Sequence, residues 1–144
     1  MGFRPSDITP ISSTGPTVLI PVSKDVAVKA FSVSRTDTSS TLKCVLPADA
    51  SIMNIVMTGS SNSDAGTTAT VTIVVSDNTG AISTGTAVNV KTAGATTAIV
   101  QMPSLPNLQP VPLTGDLRIT ATYAETGTAS TTGGPYTFLV TYVR

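Results

Sequence analysis

The stretch Thr67–Ser76, TTATVTIVVS, decides how the rest of this chain is read. Ala69, Val71, Ile73 and Val75 fall on one face of an extended strand, and Thr68, Thr70, Thr72 and Val74 on the other. Strand side chains alternate with a period of two. The pattern therefore buries one face and leaves a threonine-coated face nearer water. Every residue except Ala69 and Ser76 is β-branched, which suits a pleated surface and disfavours a helix. Asp77-Asn78-Thr79-Gly80 then supplies a turn.

The same grammar extends in both directions. Upstream, strands are expected at Thr17–Val22, Val26–Ser34, Thr41–Leu46 and Ala50–Thr58. Pro21 restricts the first of these to an edge or an end. In the fourth, Met53, Ile55 and Met57 are expected inward, opposite Ile52, Asn54, Val56 and Thr58. Leu42, Cys44 and Leu46 share a face, which makes Cys44 a core thiol. Downstream, weaker strands are expected near Thr84–Val90 and Thr96–Met102. Pro103–Gly115 carries four prolines and reads as a long connection rather than a central strand. Leu117–Tyr123 alternates cleanly, with Leu117, Ile119, Ala121 and Tyr123 inward. Tyr136–Val143 closes the chain with Tyr136, Phe138, Val140 and Tyr142 on one face. It is apolar on both faces, as a strand inside a sheet should be.

Eight or nine short strands, no helix and turn signals every 8–12 residues describe an all-β sandwich or barrel. A jelly-roll-like β-sandwich of two four-stranded antiparallel sheets is the first reading. An immunoglobulin-like sandwich is the second, although its Cys…Trp…Cys signature is absent. The length, 144 residues, fits one domain over residues 17–144, preceded by Met1–Pro16. That segment, MGFRPSDITPISSTGP, holds three prolines and shows neither period. We read it as an extended N-terminal arm that docks on its own domain or on a neighbour; a tail without fixed structure is the other reading. Phe3, Arg4, Ile8 and Ile11 are its candidate interface residues.

Composition excludes more than it identifies. The chain has 26 Thr and 16 Ser, no Trp and no His. Without His, a Ser-His-Asp or Cys-His arrangement and a Cys/His zinc site are excluded. The carboxylates are Asp7, Asp25, Asp37, Asp49, Asp64, Asp77, Asp116 and Glu125, nearly all at expected turns. Asp64 and Asp77 flank one strand, yet calcium wants several carboxylates close together, so both read as turn residues. Neither an enzyme nor a cofactor is expected. Eight basic and eight acidic residues cancel, and no basic stripe suits a phosphate backbone, so nucleic acid is not an expected partner. No apolar run approaches ~20 residues, and no signal-peptide pattern opens the chain, so no membrane is expected either. Synthesis in a reducing cytosol follows. Weak surface charge also favours permanent assembly.

Three segments together resemble a known class. They are LPADASIMNIVMTGSSNSDAGTTATVTIVV from Leu46 to Val75, VNVKTAG from Val88 to Gly94, and GDLRITATYAETGTASTTGGPYTFLVTYVR from Gly115 to Arg144. They resemble small β-sandwich virion proteins of tailed bacteriophages that decorate or cement the capsid. The resemblance implies a non-enzymatic protein on the capsid exterior, made in the host cytoplasm. It also implies a symmetric oligomer, commonly a homotrimer, docked on the major capsid protein and stabilising the expanded shell. It carries no residue-level site. The competing class is a tail or fibre module, or a receptor- or glycan-binding one. Sugar sites favour exposed aromatics, whereas Tyr123, Tyr136 and Tyr142 are all expected inward.

Overall fold

The computed structural model describes residues 25–103 and 115–144. Nine strands and one helical turn follow in chain order: β1 (Val26–Val33), β2 (Thr41–Leu46), β3 (Ser51–Gly59), β4 (Thr68–Ser76), β5 (Ala81–Thr84), β6 (Val88–Asn89), α1 (Val90–Ala93), β7 (Thr97–Ile99), β8 (Leu117–Thr126) and β9 (Tyr136–Val143). They form two antiparallel sheets, ordered β1-β9-β3-β7 and β2-β8-β4-β5, with β6 also paired to β4. The first four strands alternate between the sheets. The last two then insert between them, β8 between β2 and β4, β9 between β1 and β3. This winding makes the β-sandwich a jelly roll.

The alternation in β4 holds throughout. Ala69, Val71, Ile73 and Val75 are fully buried. Burying each Val or Ile side chain contributes about 1.5–3 kcal/mol before entropy is counted. Leu117, Ile119, Ala121 and Tyr123 of β8 and Tyr136, Phe138, Val140 and Tyr142 of β9 face the same core. Phe31 of β1 and Phe138 sit opposite each other in register, with rings stacked at 5.3 Å between centroids. As its two apolar faces require, β9 has a neighbour on each side.

Several expectations are corrected. In β3 it is Ile52 that is buried, at 0% exposure, while Met53 is 56% exposed. A bulge between Ile52 and Asn54 places an extra residue in the strand and reverses the alternation there. Beyond it Ile55 and Met57 point inward as expected. A second bulge, between Leu42 and Cys44, separates residues expected to share a face. Leu42 pairs with Thr120 and is exposed, whereas Cys44 is half-buried against the core and Leu46 fully buried. Burial pushes the Cys44 thiol above its ordinary pKa.

The strand expected at Thr84–Val90 is not continuous: β5 ends at Thr84, and only β6, Val88–Asn89, follows within that range, both pairing along one side of β4. Val90 instead opens the single turn α1, where no helix was expected. The Asn89 side chain accepts from the N–H groups of Lys91 and Thr92, which caps that turn. The strand expected at Thr96–Met102 is shorter, running Thr97–Ile99. The expected strand at Thr17–Val22 and the arm Met1–Pro16 lie outside the described residues, as does most of the connection Pro103–Gly115.

Tyr136 illustrates how closely the loops are packed. A Cβ built on Gly94 would lie 2.8 Å from its Cε1, and one on Gly133 would lie 2.9 Å from its hydroxyl. Gly133 also has φ +120°, a region that side chains rarely allow. Glycine at both positions lets the ring sit directly against backbone.

Candidate functional site

Two sheet faces and one loop end are the surfaces on which this molecule could act. The outer face of the β1-β9-β3-β7 sheet is apolar. Ladder pairs Ala30↔Leu139, Leu139↔Val56 and Val56↔Ile99 place four apolar side chains in one row across all four strands. Val26, Val28, Met53 and Ile99 are each more than half exposed. The other outward positions carry Ser, Thr, Asn, Ala and Val, so no outward position on these strands is charged.

The outer face of the β2-β8-β4-β5 sheet is chemically different. Thr72 pairs with Thr122, and Thr68 with Thr126, whose hydroxyls meet at 2.7 Å. Thr70, Thr84 and Thr120 extend this hydroxyl surface, and Arg118 stands near its end. Leu42, displaced outward by the β2 bulge, and Val45, outward by regular alternation, are its large exposed apolar residues. The face offers hydrogen bonds and a modest apolar strip, with no group of unusual reactivity.

At one end of the sandwich, loops that are distant in sequence are joined by a polar network. The Tyr123 hydroxyl lies 2.8 Å from Ser63 Oγ, donates to Glu125 Oε2 at 2.7 Å and lies 3.1 Å from Ser130 Oγ. Both carboxylate oxygens of Glu125 accept from the Ser130 N–H, and Arg35 donates to the Ser130 carbonyl at 2.8 Å. Asp64 accepts from the N–H groups of Thr131 and Thr132 and from the Thr131 hydroxyl. Asp37 does the same for the neighbouring turn. It takes the Ser34 N–H at 2.7 Å and the only ion pair among the described residues, Lys43 Nζ at 2.7 Å.

These partners set the protonation behaviour. The Thr132 N–H and the Thr131 hydroxyl hold Asp64 down at about 2. Glu125 is likewise lowered, first by Ser130 and then by Tyr123. Burial pushes Tyr136 up to about 12, helped by the charges around it. Its hydroxyl meets no hydrogen-bond partner of good geometry among the described residues, although the Ser63 side chain lies near it. A shallow depression of about 400 Å³, lined by Arg35, Thr36, Glu125, Ser130 and Thr131, opens beside this network. Its carboxylate is ionised and already occupied by loop N–H and O–H donors, so it is a weak base and no acid. The network fastens loops that are distant in sequence. No cluster of three or more metal-ligating side chains occurs among the described residues.

The expected interface residues Phe3, Arg4, Ile8 and Ile11 lie outside the described residues. The apolar outer face was the surface that sequence reasoning missed. Its one sequence signal was the apolar character of both faces of Tyr136–Val143.

No family model and no curated protein matches the chain. Among solved structures it is similar to a chain of the cyanophage Pam1 capsid asymmetric unit, with a TM-score of 0.53 and 23% sequence identity. The match covers 83% of this chain and 85% of that one. At this identity the likeness is one of fold.

Proposed function

We propose that this chain is a non-enzymatic structural protein of a bacteriophage virion. It binds the exterior of the capsid as a symmetric oligomer, a homotrimer by the resemblance, and stabilises the shell. The observation that carries the reading is the shared fold with a chain of a phage capsid, over more than four fifths of both chains. The sequence resemblance of Leu46–Val75, Val88–Gly94 and Gly115–Arg144 to decoration proteins points the same way. The surface is compatible with that role. Among the described residues it has one uncharged apolar face and one hydroxyl-rich face, and the carboxylates of Asp37, Asp64, Asp77 and Glu125 hold loops. A shell-binding protein gains affinity by touching several subunits at once, so it needs no single strong site. The partner in this reading is the major capsid protein, and the arm bearing Phe3, Arg4, Ile8 and Ile11 is its anchor.

Copy number tests the reading. Quantitative mass spectrometry of purified virions should find this protein in near-stoichiometric ratio to the major capsid protein. A few dozen copies per particle would assign it to the tail, neck or fibres instead. Absence from particles would overturn the virion reading altogether.

A further inference from the structure

On the outer face of the β1-β9-β3-β7 sheet, Val26, Val28, Met53 and Ile99 are each more than half exposed among the described residues. From strand spacing and rise the face measures roughly 19 by 26 Å, about 500 Å². Apolar patches of that size mark contact surfaces. We infer that three copies of this chain bring these faces together around a three-fold axis that runs along the strands, each face forming one side of a triangular prism. The inference rests on the symmetric oligomer of the proposed function and names its contact surface.

Charge argues for self-contact. No outward position on these strands is charged, so the face can meet its own copies without like-charge repulsion. It also holds no charged group that would single out a foreign partner. Area and width argue for three copies. Two faces laid on each other would bury roughly 1,000 Å², the lower limit for a specific interface. Three would bury roughly 1,500 Å². A prism with sides ~19 Å wide has its axis about 5.5 Å from each sheet. Packed sheets stand ~10 Å apart, so the side chains of each fill about 5 Å. One layer of side chains from each face therefore fills the interior.

Strand order fits the same arrangement. β1 and β7 are the two ends of this sheet, so each corner of the prism sets β1 of one copy beside β7 of the next. Ala30 of β1 and Ile99 of β7 belong to one row across the sheet, with Leu139 and Val56 between them. That row closes into an apolar ring, with Leu139 and Val56 nearest the axis. Asn54 and Thr141, paired across β3 and β9, reach the axis beside the ring. Three amides and three hydroxyls can bond one another there, which keeps the rows of the three copies level. The threonine-coated face of the other sheet stays outside the prism, open to another protein.

Native mass spectrometry of the full-length chain at micromolar concentration tests the inference. The wild-type protein should show three times the chain mass. Val28→Lys with Ile99→Lys should reduce it to the mass of one chain, with the strand signal of circular dichroism kept. Thr72→Lys on the other sheet should leave the trimer intact. A monomeric or dimeric wild-type protein would overturn the inference, as would a trimer that survives both lysines. Covalent trapping gives a second readout that does not depend on breaking the assembly. With Cys44→Ser as background, Ala30→Cys and Ile99→Cys together should, on oxidation, give a three-chain band on a non-reducing gel. Within one chain these positions stand three strands apart, about 14 Å, too far for a disulfide. Either substitution alone can join no more than two chains. A band of two chains at most from the pair would overturn the three-fold arrangement. A trimer broken on this face supports the inference even where virions lack the protein, so the two readings fail separately.

Discussion

Two tyrosines with similar burial stand in opposite situations. Tyr123 directs its hydroxyl to Ser63, Glu125 and Ser130. Tyr136 buries its hydroxyl with no partner among the described residues. Removing a bonded buried hydroxyl strands its partners, whereas removing an unbonded one relieves a desolvation cost. Tyr123→Phe should therefore lower stability by about 1–2 kcal/mol, and Tyr136→Phe should leave it unchanged or raise it by up to about 1 kcal/mol. Urea midpoints of the two variants decide this, and equal losses would contradict the assignment. Asp64 supplies a pH test at the same scale. Its folded pKa is about 2, below the unfolded value, so its contribution is complete above that unfolded value. It is lost as pH falls through about 2. Amide exchange at Thr131 and Thr132 should accelerate over that interval. In Asp64→Asn the acceleration should be gone, because exchange there is already fast at neutral pH.

At the scale of elements, the bulges matter more than the strands' composition. In β2, Leu42 and Leu46 are the same residue type four positions apart, and a regular strand would place them on one face. The bulge between Leu42 and Cys44 puts Leu42 outside and Leu46 inside. Leu46→Ala should then cost about 2–5 kcal/mol. Leu42→Ala should stay within about 0.5 kcal/mol, as for surface positions. Thermal or urea denaturation measures both, and similar losses would mean that β2 is regular in solution. The bulge in β3 works the same way on Ile52 and Met53. No residue pattern in ASIMNIVMT announces it, because an extra residue is inserted to satisfy pairing with β9, a strand more than eighty residues away.

Among the described residues the molecule has one apolar and one hydroxyl-coated sheet face. In the proposed role the arm anchors to the shell rather than to its own core, so removing Met1–Pro16 should leave the unfolding midpoint unchanged. In the proposed role, the same deletion should abolish binding to shells lacking the protein, as measured by co-sedimentation. Undiminished binding would rule out Phe3, Arg4, Ile8 and Ile11 as the anchor.

What this sequence determined by itself is the local period. Alternation in Thr67–Ser76, Leu117–Tyr123 and Tyr136–Val143 depends only on neighbours two residues apart, and it identified inward residues that the structure buries. Turn residues and β-branching set the all-β class for the same local reason. Tertiary structure alone decided the rest. Bulges depend on the register of a partner strand. The loop network joins Asp64 to Thr131 across 67 residues, and Ser63 to Tyr123 across 60. The apolar outer face exists only because β1, β9, β3 and β7 are neighbours in space. Such pairings arise from chain segments meeting after long loops close, and no short window of sequence encodes which segments meet.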